Sequence, residues 1–173
     1  MRSDTFWSEI SASALDMICQ AGSGISVIPC GPLRLFDKVD EVTKCGAPNA
    51  EGIVGFIRTK GNLKRAEDIF KDHFMGRPVM PGMTLMDQFF QLAGLYAAAH
   101  GVKGQGFALD FGNGKFFHPV TPETKELVFE VSIVRLHIGK LRTKVKGIGR
   151  VFADGELAAK PLEVEVFIQS PKE

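Results

Sequence analysis

The sequence predicts an α+β fold in which one long apolar helix is wrapped by a curved antiparallel sheet. Three features carry that reading. From Met83 to Val102 the chain is hydrophobic nearly all the way round a helix, so that helix must be covered on every side. Downstream of it run extended segments in which apolar and polar residues alternate, as half-buried strands require. Asp154-Gly155 joins the last two of them, a dipeptide suited to a two-residue hairpin turn.

The elements follow in order. Residues 4–20 place Phe6, Ile10, Ala14, Leu15 and Ile18 at helical spacing, with Ser3 or Asp4 to cap the start and Gly22 to stop the helix. A Gly/Ser/Pro-rich linker runs from Gly22 to Pro32. The expected division is therefore an N-terminal helix and linker (1–31) packed on a main domain (32–173). Leu33–Lys44 and Gly52–Thr59 read as two strands around a turn at Cys45–Asn49, and residues 62–71 as a short polar helix. After the long helix, Gly106–Val120 reads as a strand interrupted at Gly112 and Gly114, which points to a bulge there. Glu126–Ile138, Leu141–Ala153 and Glu156–Gln169 complete the sheet, with Leu127, Phe129, Val131 and Ile133 sharing one face.

Composition narrows the function classes. The chain has 173 residues, a formal net charge of +1 and no lysine/arginine run, which argues against nucleic acid as a partner. Fourteen phenylalanines against one tyrosine and one tryptophan fit a wide apolar interior. Cys19, Cys30 and Cys45 have no metal-ligand spacing and read as reduced thiols, the expectation for a cytoplasmic protein. The apolar run is long enough to span a bilayer, but it contains Asp87, Gln88, Gln91 and His100, so a buried central helix is expected and no membrane span. There is no phosphate-cradling glycine loop and no paired-histidine motif, so neither cofactor nor metal is expected.

Asp87 is the only charged residue between Pro78 and Val102. A carboxylate inside such a helix must be paired, neutralised or used. His73 lies fourteen positions earlier, before a stretch rich in proline, glycine and methionine that ends at Pro81-Gly82. Gly82 opens the helix, where amides lack internal acceptors and the dipole is positive, so a carbonyl oxygen placed there would be polarised. His73 has the chemistry of a base and Asp87 that of an acid. Base, acid and carbonyl polariser are the minimal set for removing water across the α and β carbons of an acyl thioester.

The motif His73-Phe-Met-Gly-Arg-Pro-Val-Met-Pro-Gly82, followed by Asp87 and Gln91-Leu92, resembles the hot-dog-fold 3-hydroxyacyl-acyl-carrier-protein dehydratases. It is most similar to their 3-hydroxydecanoyl branch, which carries aspartate at the acid position. Ala108–Phe116, Leu33–Val39 and Ala153-Asp154-Gly155 resemble further family segments, so the likeness spans roughly Pro32 to Ile168. The resemblance implies a cofactor-independent homodimer with sites at the interface, the histidine from one subunit and the acid from the other. His73 would then take the α proton, Asp87 protonate the departing hydroxyl, the Gly82 amide hold the thioester carbonyl and Gln91 orient Asp87. Phe89, Phe111 and Phe116 are candidate walls of the acyl tunnel.

The sequence departs from the branch pattern at Arg77, Met83, Leu85 and Phe90. These changes bear on acyl-chain length and on whether a trans-2 double bond is moved to cis-3. Two other readings stand beside dehydration: a hot-dog acyl thioesterase, and a non-catalytic acyl-binding dimer within a synthase. Arg135, Lys140, Arg142, Lys144 and Lys146 cluster near one strand turn and form a candidate docking patch for an acidic acyl carrier protein, or a plain solvated strand face. His118, His100 and His137 read as loop, surface or capping groups, and Asp110 as a residue of the glycine-rich strand with no partner visible in the sequence.

Overall fold

A computed structural model describes residues 6–19, 28 and 31–170. In chain order the elements are α1 (Ala12–Cys19), β1 (Glu41–Val42), β2 (Gly55–Lys60), a 3-10 turn (Leu63–Ala66) leading into α2 (Glu67–Asp72), and the central helix α3 (Gly82–Ala99). Then come β3 (Gln105–Phe111), β4 (Leu127–Ile138), β5 (Arg142–Ala153), β6 (Glu156–Leu157) and β7 (Leu162–Gln169). The sheet is antiparallel with strand order β1-β2-β4-β5-β7-β3, and β6 pairs with β5. It packs on α3 through β2, β4, β5 and β7, which is the hot-dog arrangement that the sequence predicts.

Burial follows the residue pattern. Leu127, Phe129, Val131 and Ile133 of β4 are all buried, as the alternation requires. Phe89 of α3 lies over Gly149 of β5, where any Cβ would collide with its ring, and meets Phe129 edge-on at 6.2 Å. Fully burying side chains of this size contributes about 1.5–3 kcal/mol each. Past Ile133 the β4–β5 register slips by a bulge, and β4 becomes progressively exposed. Asp154 and Gly155 have φ of 51° and 84°, the left-handed pair that a type I′ hairpin needs.

Several elements differ from the sequence reading, each for a physical reason. Helix α1 is shorter than the 4–20 periodicity implies. It begins after Ser11, whose Oγ accepts from the Ala14 amide at 3.2 Å. Ile10, instead of continuing a helix, bridges Val39 through backbone bonds of 3.0 and 2.8 Å. Ser3, Asp4, Gly22 and Cys30 lie outside the described residues. Ile10, Leu15 and Ile18 join the same core as the main body.

The expected strand Leu33–Lys44 pairs into the sheet only at Glu41–Val42. Leu33–Leu35 is clamped to α3 by two buried glutamines instead. Gln88 Oε1 accepts from the Leu35 amide at 2.8 Å, while its Nε2 donates to Leu33 O at 2.9 Å; Gln91 Nε2 donates to the same carbonyl at 3.0 Å. Side-chain amides thus satisfy backbone groups that a neighbouring strand would otherwise take. Arg34, itself buried, fastens α1 to this strap by donating to Cys19 Sγ at 3.1 Å and Asp16 Oδ1 at 3.4 Å.

Strand β3 has its bulge between Ala108 and Asp110, not at Gly112 or Gly114. Asp110 is exposed and accepts from the Phe111 amide. The expected Glu156–Gln169 strand divides into β6 and β7. His100 caps α3. Its ring lies 2.8 Å from Tyr96 O through Nδ1 and accepts the Cys45 amide at 2.9 Å through Nε2, so Nδ1 carries the hydrogen and the ring is neutral. Burial lowers its pKa, consistent with that neutral state. No helix among the described residues is long and apolar enough to cross a membrane.

Candidate active site

Helix α3 starts without a side-chain cap. Pro81 holds the N-cap position at φ −58°, ψ 132°, and the first turn contains no acidic residue. The leading amides, Gly82 among them, therefore have no intrahelical acceptor and lie at the positive end of the dipole. Gly82 is also a close-approach position: a Cβ there would sit 2.5 Å from the Phe116 ring. The two residues border an open cavity of about 500 Å³ whose lining includes Val79, Met83, Leu85, Phe117 and His118.

His73 closes α2, its amide donating to Ile69 O at 3.1 Å. The next residue, Phe74, is left-handed at φ 62°, a conformation that costs a bulky residue about 1–2 kcal/mol. Its ring packs on the imidazole with centroids 4.3 Å apart. The chain then folds back so that Val79 O lies 2.7 Å from His73 Nδ1. A carbonyl only accepts, so Nδ1 must carry the hydrogen, and Nε2 is left with the lone pair that a base needs. Val79 also lines the cavity, which links His73 to it.

Asp87 occupies the second turn of α3. Gln91 Nε2 donates to its Oδ2 at 2.6 Å while holding Leu33 O, so one amide orients the carboxyl against a fixed backbone carbonyl. Burial raises the Asp87 pKa and outweighs the downward pull of the Gln91 hydrogen bond. A carboxyl shifted in this direction keeps its proton to higher pH, as a general acid requires. Gln91 Oε1 is buried without a partner.

Within one chain these parts form two groups. Asp87 lies one turn beyond Met83, which borders the cavity, and about 140° round α3 from Gly82. That cavity's lining contains neither Asp87 nor Gln91, and no described hydrogen bond or ion pair joins His73 to Asp87. Of the candidate tunnel walls, Phe116 lines the cavity, Phe89 is in the core, and Phe111 is exposed on β3 with its ring 6.4 Å from that of Phe90. Two further residues emerge: Gln88, visible in the sequence as a polar residue in an apolar helix, and His118, which its loop setting disguised.

Residues 28–161 match the FabA-like domain. The chain belongs to the FabA-like family. Its chemistry is that of the 3-hydroxyacyl-acyl-carrier-protein dehydratase/isomerases, lyases acting on acyl thioesters. Among solved structures it is similar to the dehydratase heterocomplex ApeI:P from Xenorhabdus doucetiae, at 10% identity over 85% of this chain and 89% of that one, with a TM-score of 0.56. It is also similar to an uncharacterized protein from Pyrococcus horikoshii, at 13% identity over 80% and 86%, with a TM-score of 0.51. At these identities the likeness is one of fold.

Elsewhere on this FabA-like chain, the basic residues gather near the β4–β5 turn. Arg135 faces Lys146 and His137 faces Lys144 across the strands, around an open groove of about 470 Å³. Glu165 approaches Lys144 at 3.4 Å and Glu163 approaches Lys146 at 2.8 Å, so these two lysines are partly neutralised. Lys140 lies within the turn and Arg142 opens β5.

Proposed function

We propose that two copies of this chain build each active site, with His73 and the Gly82 amide from one copy and Asp87 from the other. The observation that carries this reading is that neither Asp87 nor Gln91 lines the cavity that Gly82 borders, and that no described hydrogen bond or ion pair joins His73 to Asp87. The edge strand β3 supports it, because Phe107, Leu109 and Phe111 are all exposed on an unpaired edge, a surface that proteins ordinarily cover. His73 Nε2 removes the α proton of a 3-hydroxyacyl thioester. The Gly82 amide donates to the carbonyl oxygen as it gains charge. Asp87 delivers its proton to the β hydroxyl, the C–O bond breaks, water leaves, and a trans-2 double bond remains. A water-mediated proton transfer from His73 to Asp87 resets both groups.

The substrate is carried by acyl carrier protein in the cytoplasm, with Arg135, Lys140 and Arg142 supplying most of the unpaired positive charge for an acidic carrier. Enoyl formation from a 3-hydroxyacyl thioester tests the roles. His73→Ala and Asp87→Asn should each lower kcat by about 10²–10⁴-fold. Mixing the two variants should restore activity, because a mixed dimer holds one intact site. Thiol release without enoyl product would instead identify a thioesterase. Absence of complementation would reject sites shared between copies.

A further inference from the structure

We propose that His118 binds the pantetheine arm of the substrate, hydrogen-bonding the amide nearest the thioester; the inference rests on the dehydratase reading above. His118 carries the only polar side chain in the lining of the cavity that Gly82 borders. An otherwise apolar cavity with one polar group fixes the orientation of a ligand that has a matching polar group at that point. The thioester carbonyl seat and the imidazole share this one space.

The direction of the ligand follows from exposure. The His118 side chain is 54% exposed in the single chain, whereas Met80, Leu85 and Val120 of the same lining are buried. An acyl tail is driven toward the covered, apolar side, whereas the arm must run to solvent because it stays attached to its carrier. Next to the thioester the arm is alkyl up to its first amide, so that amide is the first polar group His118 can meet. The residue is well held for this task. Its backbone amide and that of Phe117 both donate to Ala158 O, at 3.2 and 2.8 Å, and Pro119 follows directly. Glu156 Oε2 lies 3.8 Å from Nε2, beyond hydrogen-bond range, so the ring nitrogens are not tied up by it.

The test compares two substrates with the same 3-hydroxyacyl group: an N-acetylcysteamine thioester, which keeps the amide, and an ethyl thioester, which lacks it. His118→Ala should lower kcat/KM on the first by about 3–10-fold, mainly through KM, which is the range a single hydrogen bond supports. On the ethyl thioester it should change little, and His118→Asn should retain most of the activity on the amide-bearing substrate. An equal loss on both thioesters, or no loss on the N-acetylcysteamine one, would overturn the assignment. If wild type dehydrates neither, the dehydratase reading fails by itself. Calorimetric Kd values for the same pair then decide His118: a selective loss of amide-thioester affinity in His118→Ala supports it, and unchanged or equal losses reject it.

Discussion

Asp87 shows how much one residue can reveal and where that stops. A lone carboxyl in an apolar helix was legible as a candidate, and so was the histidine before Pro-Gly. Their hydrogen-bond surroundings were not, because only the fold brings Val79 O to His73 and the Gln91 amide, itself held by Leu33 O, to Asp87. The tautomer of His73 was equally hidden, since it depends on Val79 O reached through a left-handed Phe74. The raised pKa of Asp87 has a thermodynamic consequence. Between its unfolded and folded pKa values the native state holds more protons than the unfolded chain, so stability falls as pH rises through that window and stays reduced above it. Asp87→Asn should therefore raise Tm at neutral pH, where the buried carboxyl is least favoured. The gain should be smaller at about pH 4.5 than at about pH 7.5. Thermal melts at both values check this, and a pH-independent difference would contradict a burial-shifted acid.

Among the elements, the central helix and the long strands were readable because burial leaves a clear periodicity. Leu33–Lys44 misled because a strap pinned by side chains has the same alternation as a strand pinned by its neighbour. Gln88 is what makes the difference. Replacing it with leucine leaves the buried Leu35 amide without its acceptor and Leu33 O without one of its two donors. Gln88→Leu is expected to cost about 2–4 kcal/mol, a fall in Tm of about 5–15 °C. Differential scanning calorimetry measures it. A variant as stable as wild type would mean that water or Gln91 replaces the lost bonds. Ile10 and the β3 bulge misled for a related reason: pairing partners distant in sequence decide them, and local pattern does not.

For the whole molecule, the free β3 edge of the sheet, with its exposed apolar side chains, sets the assembly. A second copy laid against β3 would shelter Phe107, Leu109 and Phe111 and bring the catalytic groups of two chains together. Leu109→Lys places a charge on that edge, a device that blocks strand-to-strand association. The variant should sediment as a monomer near 18.9 kDa and lose dehydration, with its circular dichroism unchanged, whereas wild type should have about twice that mass. A wild-type monomer with full activity would end the two-copy reading. The overall architecture was legible from the sequence, but the edge was not. Exposed phenylalanines look like core residues until the strand order puts them at a border.

Helix α3 is a stiff rod bolted at its middle by two glutamines, with the Gly82 amide at its tip and the Asp87 carboxyl in its second turn. In a dimer assembled as proposed, each rod belongs to both reaction centres. Any tilt that draws the tip toward one bound thioester swings the acid relative to the other, so the two halves cannot turn over as strangers.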